Sequence, residues 1–455
     1  MNLTFYGGAG EIGGNKILLE TSKTSMLFDF GIPFDRGAGI FSGFEFVSPR
    51  DKLGLRDYFE FDMIPKIRGL YSRDSLYYTK MKYEKPCIDA VFLSHLHSDH
   101  AGDVCFIDPK ISVYLGHGTK ALNDVFNKIY SNFKMELNGN EKEFKTGDEI
   151  KIKDVGVIPM HVDHSIPGAY GFIIKTPEGN VAYTGDFRFH GFKPQLTEDF
   201  MIAASKAKVK ILITEGTRIK KQTDKVFKQN LTESDVENNL YEVIKRTDGI
   251  TFVNFSFRNV DRVRSLCNAT KRAGKILVAN PGFFYTVDNA GALITSMPKT
   301  SGNKCYKVFK KDGDIPDEEK RIRDYAKPYF EKSIDYKWVR KNIGDVVMFV
   351  TSSEFIQMID IQPKSGTFIF SMSEHYLEGE ENEEYKLCLE NWLHHFGIKF
   401  EQIHCSGHAD GEGVKRMVET INPEIVIPVH TEAPEEFKRF CKKVVLPEKG
   451  KKIIL

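Results

Sequence analysis

The sequence predicts an α/β protein of two lobes, a layered sheet structure interrupted by a doubly wound one. The chain is 455 residues long, about three times the ~150 residues that serve as a soft prior for one domain. Short runs rich in Val, Ile, Phe and Tyr dominate the sequence as far as Glu215, with helical patterns between or after them. Beyond Glu215 the rhythm becomes a regular alternation of strand and helix, which buries best as a parallel sheet covered on both faces.

Taken in order, strands are expected at Leu3–Tyr6, Asn15–Glu20, Ser25–Phe30, Ile88–Ser94, Ile111–Leu115, Tyr170–Lys175, Asn180–Thr184 and Lys210–Thr214. Helices are expected at about Thr119–Ser131 and Glu198–Lys206, outside the sheets. The second rhythm reads as helix Glu233–Arg246, strand Ile250–Asn254, helix Asn259–Ala273 and strand Lys275–Ala279. Strands Asp345–Thr351 and Thr367–Ser371, a helix over Glu383–Phe396, strand Ile425–Val429 and a short helix from about Pro434 complete the reading. The segment from Pro33 to Cys87 separates two strands by many residues and mixes aromatic with basic side chains. Connections this long usually carry function or structure of their own.

Composition narrows the function. With 41% hydrophobic and 28% charged residues, a mean hydropathy of −0.34 and no apolar run near the ~20 residues of a membrane span, no membrane partner is expected. Met1-Asn2-Leu3-Thr4-Phe5 lacks a basic and apolar leader pattern, so the expected compartment is the cytoplasm. Seven cysteines without a Cys-x-x-Cys pair argue against a disulfide framework and a thiolate zinc cluster. Residues 216–364 hold 27 Lys and Arg against 19 Asp and Glu, although the whole chain is at +1. Such a basic middle is a footprint for a polyanion, or simply a solvated face.

The strongest chemical signal is Ser94-His95-Leu96-His97-Ser98-Asp99-His100-Ala101-Gly102-Asp103, directly after the apolar run Ile88–Leu93. A strand that turns into a loop and helix can aim His95 and His97 to one side while Asp99 and His100 reach the other. Imidazole and carboxylate are then offered to two adjacent divalent ions.

His-x-His-x-Asp-His after a hydrophobic strand resembles the signature of the metallo-β-lactamase superfamily. In chain order, Asp29 in Met26-Leu27-Phe28-Asp29-Phe30-Gly31 resembles the early strand-end aspartate, whose implied role is to orient the histidine loop. His164 in Asp163-His164-Ser165-Ile166-Pro167-Gly168 fits the third motif, and Asp186 in Tyr183-Thr184-Gly185-Asp186-Phe187-Arg188 the fourth. His161 competes with His164, but the His-Ser-Ile-Pro context is similar to the RNA-processing members. Glu215 in Thr214-Glu215-Gly216-Thr217 resembles the acidic motif of the β-CASP nucleases, whose second lobe is inserted into the lactamase fold. His408 in Cys405-Ser406-Gly407-His408-Ala409-Asp410 and His430 in Ile427-Pro428-Val429-His430-Thr431-Glu432 resemble the last two motifs, most like ribonuclease J and its archaeal relatives.

The resemblance implies an αββα sandwich formed by residues 1–215 and 365–455, with the doubly wound β-CASP domain inserted at 216–364. It implies one ion on His95, His97 and His164, another on Asp99, His100 and His430, and Asp186 bridging. Zn2+ is expected, with Mn2+ acceptable to the same donors. Hydrolysis would leave a 5′-phosphate, with His408, held by Glu215, at the scissile phosphate or the leaving 3′-oxygen and Asp99 doubling as water-orienting base. Single-stranded RNA is the expected substrate, cut from the 5′ end, internally or both. Single-stranded DNA stays open because no residue identifies a sensor of the 2′-hydroxyl. A small-molecule ester or thioester hydrolase and a non-catalytic RNA-binding factor are the readings from other classes.

Some features depart from that pattern. The family's Gly-Ser-x-Gly-Glu phosphate loop stands here as Thr351-Ser352-Ser353-Glu354, where Ser352 and Ser353 can hold phosphate and Glu354 would repel it. Arg258, at a strand-to-helix junction between Phe257 and Asn259, is a further substrate-binding candidate. The chain stops soon after the last motif, which puts in doubt any assembly that depends on the family's additional C-terminal domain; a homodimer is what the resemblance alone implies. His117, His394 and His395 read as helix-terminal or surface groups, and His190 as a neighbour of the metal site.

Overall fold

The computed structural model describes residues 1–41, 47–129, 135–221, 231–256, 258–290, 297–300, 303–310, 325–330, 333–351, 354–379 and 382–455. Strands that alternate side chains between two buried faces build the first lobe. In Ser25–Phe28, Met26 and Phe28 point into the core between two sheets while Leu27 joins the opposite, outer core.

The first sheet runs in the order Lys452–Ile454, Asn2–Gly7, Lys16–Glu20, Ser25–Phe28, Ala90–Phe92, Ser112–Gly116, Glu141–Phe144. The second runs Ile425–Val429, Ile211–Glu215, Gly179–Tyr183, Tyr170–Thr176, Val155–His161, Ile150–Ile152. Phe5, Phe28, Phe92, Phe172, Tyr183, Ile213 and Val429 fill the space between them. Helix His117–Ile129 contacts the first sheet, and helices Pro194–Lys206 and Gly411–Ile421 cover the outer face of the second through Phe200, Met201, Val414 and Met417. This is the four-layer αββα sandwich expected.

The third sheet, in the order Tyr306–Val308, Ile276–Ala279, Val346–Phe349, Ile250–Asn254, Gly366–Phe370, Ile398–Gln402, is parallel throughout. It forms the inserted lobe, whose central strands Ile250–Asn254, Val346–Phe349 and Gly366–Phe370 are fully buried as a two-sided parallel sheet requires. The expected boundary after residue 364 is corrected by this pairing. Gly366–Phe370 and Ile398–Gln402 hydrogen-bond into the inserted sheet, which therefore runs to about Ile403. Residues 365–403 add two basic and eight acidic side chains, so the lobe holds 29 against 27. The basic footprint read from 216–364 was an effect of where the boundary had been drawn.

Among its described residues, the Pro33–Cys87 segment is folded rather than a bare loop. Leu55, Tyr58, Phe59, Ile64, Leu70, Tyr71 and Leu76 are buried in the outer core, and short helices form at Arg56–Glu60 and Arg73–Leu76. Some expected elements shift at their ends. The strand at Ser25 stops at Phe28, and Pro434–Arg439 is a 3-10 helix. Helix Gly411–Ile421, strand Val155–His161 and strand Ile398–Gln402 were not anticipated.

Candidate functional site

The predicted histidine loop leaves strand Ala90–Phe92 at the end of the first sheet and enters the one-turn helix Ser98–Ala101. Asp29 fixes it from the neighbouring strand. Its backbone turns with a positive φ of 59°, a conformation a non-glycine residue holds only when its surroundings over-determine it. The buried Asp29 carboxylate accepts hydrogen bonds from Ser94 N (2.7 Å) on Oδ1, and on Oδ2 from Ser94 Oγ (2.8 Å), His100 Nδ1 (2.8 Å) and Tyr183 Oη (2.6 Å). Beside it Gly31 passes the Asp99 carbonyl so closely that an added Cβ would lie 1.8 Å from that oxygen.

These bonds dictate which ring nitrogens are bare. His100 Nδ1 donates to a carboxylate, so its Nε2 carries a lone pair in the neutral ring. Ser94 Oγ, its hydrogen given to Asp29, accepts from His95 Nδ1 at 3.0 Å, which leaves His95 Nε2 bare. His164 Nδ1 donates to the Gly407 carbonyl at 2.6 Å, leaving Nε2 bare. His430 Nδ1 donates to Thr217 Oγ1 at 2.8 Å, because the Thr217 hydroxyl itself donates to Glu215 Oε2 at 2.6 Å. Its Nε2 then faces Asp99 Oδ2 at 2.9 Å.

The bare atoms converge. His97 Nδ1 lies 3.0 Å from His95 Nε2 and 3.1 Å from His164 Nε2. Three imidazole nitrogens thus meet with at most one hydrogen among them. Asp186 Oδ2 stands 3.6 Å from His95 Nε2, 3.9 Å from His164 Nε2, 3.1 Å from His100 Nε2 and 3.8 Å from His430 Nε2. Both oxygens of this buried carboxylate lack a hydrogen bond of acceptable geometry, which is costly unless a cation or proton neutralises them. The donors form three overlapping sets, His95–His97–His164–Asp186, Asp99–His100–Asp186–His430 and Asp186–Glu215–His408–His430, each with its ligand atoms within 4.8 Å of one another. An imidazole and carboxylate cluster of this kind fits divalent cations.

The electrostatics agree. Burial and the neighbouring imidazoles hold His95 and His164 well below the usual histidine range, and burial takes His97 down to about 4. Burial would also lower His100, but the Asp186, Asp99 and Asp29 carboxylates outweigh it and raise it well above that range. Without cations, protons on His100 and His408 do the neutralising. For Asp186 burial opposes ionisation, yet His100, His430 and His408 hold it well below the carboxylate range.

Glu215, at the end of strand Ile211–Glu215, accepts from His408 Nδ1 at 2.9 Å and from Phe187 N at 2.8 Å. Burial disfavours charge on His408, but Glu215 first and Asp186 next raise it to about 9. Its side chain keeps 21% exposure, so the imidazole reaches solvent while its Nδ1 is engaged. Thr217, two residues after Glu215, was not anticipated and links Glu215 to His430 and His408. Asn15 and Tyr183 were also missed; Asn15 Nδ2 lies 3.4 Å from both His100 Nε2 and Tyr183 Oη. The signals available were an amide at a strand start after two glycines and an aromatic three residues before Asp186.

Other expectations sort cleanly. His161 bonds Thr146 Oγ1 at 2.5 Å and stacks on Tyr170 outside the cluster, whereas His164 lies within it. His190 donates to the Ser406 carbonyl at 2.8 Å. His117 begins its helix and meets Glu143, and His394 and His395 end theirs. The Arg258 guanidinium lies 5.7 Å from the Phe126 ring, and Phe255 is core. Ser352, Ser353 and Phe257 lie outside the described residues. Glu354 is buried and accepts from Thr351 N at 2.8 Å, turned onto its own loop.

Residues 61–234 match the Beta-lactamase superfamily domain, and residues 397–453 match the Zn-dependent metallo-hydrolase RNA specificity domain. The chain belongs to the metallo-β-lactamase superfamily. Within it the similarity to ribonuclease J extends over almost the whole sequence. Ribonuclease J of Pyrococcus abyssi is 24% identical over 438 residues, covering 94% of this chain and 88% of the relative. Ribonuclease J of Methanocaldococcus jannaschii is 22% identical, covering 94% and 91%. Ribonuclease J 2 of Staphylococcus saprophyticus is 24% identical, covering 98% and 73%. A crystal structure of a protein of unknown function from Enterococcus faecalis V583 shares the fold with a TM-score of 0.75 at 23% identity, over 100% of this chain and 99% of that one. Among the described residues, no helix is long and apolar enough to cross a membrane.

Proposed function

We propose that this chain is a metal-dependent β-CASP ribonuclease that hydrolyses single-stranded RNA in the cytoplasm and leaves 5′-phosphates. The observation that carries the reading is the Glu215–His408 pair set against the doubled His and Asp cluster, with Asp186 within 3.8 Å of His408 Nδ1. The ribonuclease J relatives and the RNA specificity match at 397–453 support RNA as the polymer.

His95, His97 and His164 would hold one ion, Asp99, His100 and His430 the other, and Asp186 both. Zinc is the ion named for the matched domain. When bound, such ions supply Lewis acidity toward a phosphodiester and the water that attacks it. The chain does the rest. Asp29 sets the tautomers of His100 directly and of His95 through Ser94, so that their Nε2 lone pairs would be free to hold the ions. Asp99 offers a carboxylate oxygen able to orient the attacking water. His408 is held at Nδ1 by Glu215, leaving Nε2 to donate its proton to the 3′-oxygen, which otherwise departs as a poor alkoxide.

The test is digestion of 3′-labelled, 5′-monophosphorylated single-stranded RNA and its DNA counterpart by the wild type and His408→Ala. Metal-dependent RNA cleavage lost in the variant supports the reading, with stepwise shortening marking an exonuclease and internal cuts an endonuclease. DNA cleavage without RNA cleavage replaces the substrate. A protein that holds its metals and cuts neither polymer overturns the reading in favour of a small-molecule hydrolase.

A further inference from the structure

Beyond the metal cluster, the largest fully buried side chains are Arg188 and Arg262. Arg188 follows Asp186 by two residues and reaches into the junction between the lobes. Its Nη1 donates to Glu233 Oε1 at 3.1 Å and to the Ser406 carbonyl at 3.2 Å, its Nη2 donates to Asp261 Oδ2 at 2.8 Å, and its Nε lies 3.6 Å from Asp163 Oδ2. Glu233 opens helix Glu233–Arg246 and Asp261 lies in the first turn of helix Val260–Arg272. Both belong to the inserted lobe, whereas Asp163 adjoins His164 in the first.

The Ser406 carbonyl accepts from Arg188 and from His190, and the next carbonyl, Gly407, accepts from His164. The turn that carries His408 is therefore held by its backbone oxygens. Arg262 strengthens the inserted-lobe side, donating to Glu233 (3.1 Å), to the Ser371 carbonyl (2.8 Å) and to Cys405 Sγ (3.6 Å). A fully buried guanidinium is costly to desolvate and is retained only where its fork is matched on several sides. Here Nη1 is shared between Glu233 of the inserted lobe and the Ser406 carbonyl of the His408 turn, and Nη2 is held by Asp261 of the inserted lobe.

We propose that Arg188 is a positioning residue for His408. Its guanidinium fixes the Ser406 carbonyl, and with it the His408 imidazole, only while Glu233 and Asp261 of the inserted lobe hold it. Seating of the inserted lobe and placement of the proton donor are then a single event. A substrate that presses the lobes together draws His408 into register, and one that wedges them apart withdraws it.

Two variants test this. Arg188→Lys keeps the charge and removes the fork, and Asp261→Asn, at the partly exposed edge of the cluster, weakens the same grip more mildly. Amide hydrogen exchange of the metal-loaded proteins should be at least about tenfold faster at residues 405–409 in both variants, with strand Ile425–Val429 unchanged. Unchanged exchange at 405–409 in either folded variant overturns the proposal. The kinetic arm rests on the ribonuclease reading. Arg188→Lys should lower kcat on single-stranded RNA by about a hundredfold while KM moves by less than about twofold. The same substitution should cost nothing further in a His408→Ala background. Losses that multiply with His408→Ala overturn the proposal, because Arg188 would then act independently of that side chain. If the wild type cuts no RNA, the ribonuclease reading falls, and the exchange measurement still decides the placement of the turn. If Arg188→Lys does not fold, Asp261→Asn carries both arms.

Discussion

Replacing Asp29 by asparagine keeps the shape of a side chain on which two histidine tautomers depend. The carboxylate serves Ser94 N on one oxygen and Ser94 Oγ, His100 Nδ1 and Tyr183 Oη on the other. An amide best placed keeps its oxygen toward the group of three and turns its NH2 toward Ser94 N–H, so one buried donor meets another. An unsatisfied buried donor costs about 1–3 kcal/mol, and the bonds to the other oxygen lose their charge assistance. Loss of such a partner behind a ligand lowers metal affinity by about 10–100-fold, or about 1.4–2.8 kcal/mol at 1.4 kcal/mol per tenfold. The two estimates coincide. The loss should fall unevenly, because His100 is held by Asp29 directly and His95 only through the Ser94 hydroxyl. Titration of metal-free Asp29→Asn with zinc against a chromogenic chelator should resolve two dissociation constants. The ion on Asp99, His100 and His430 should weaken by one to two orders of magnitude, about the range given, and the other by less. Equal weakening of both, or none, would refute the tautomer argument.

Thr217→Val should lower kcat by about 10–100-fold while Thr217→Ser restores it, because the hydroxyl alone links Glu215 to His430; steady-state kinetics on RNA check this. Zinc uptake near neutral pH should release a proton, because His100 is held charged by carboxylates in the metal-free site; calorimetry in two buffers of different ionisation heat should show it, and affinity should rise with pH. Burial opposes charge on Glu233, but Arg262 and Arg188 outweigh it and hold its carboxyl at about 2. Its folded pKa is depressed, so its stabilisation is present above the unfolded value of 4.5 and is lost as pH falls toward 2. Glu233→Gln should cost about 3–5 kcal/mol at neutral pH and flatten the stability profile in that acid window, as denaturant melts at several pH values would reveal.

Most residues of the candidate site were legible because their signal is local or stands at a strand end. His95, His97, Asp99 and His100 lie within six residues, and Asp29, Glu215 and His430 follow apolar runs that read as strands. The residues behind them were not, because their partners are remote in sequence. Thr217 meets His430 across 213 residues, and Arg188 meets Ser406 across 218. The boundary at 364 failed for a related reason. Gly366–Phe370 is a buried strand by its own pattern, and nothing in five residues says whether it pairs with Ile250–Asn254 or completes the first lobe. Ile398–Gln402 carries exposed Lys399 and Phe400 at the sheet edge and so lacked the apolar signal. Gly411 and Gly413 masked the start of a helix that Asp410 caps.

Strand Ile425–Val429 docks beside Ile211–Glu215 only after the whole inserted lobe has intervened in the chain, and His430 comes at its end. Until that strand is in place Asp99 has no His430 opposite it, so the second proposed donor set is completed from the far side of the insertion. The cluster is in this sense a clasp, its first and last donors drawn from the two ends of a lobe that it does not itself contain.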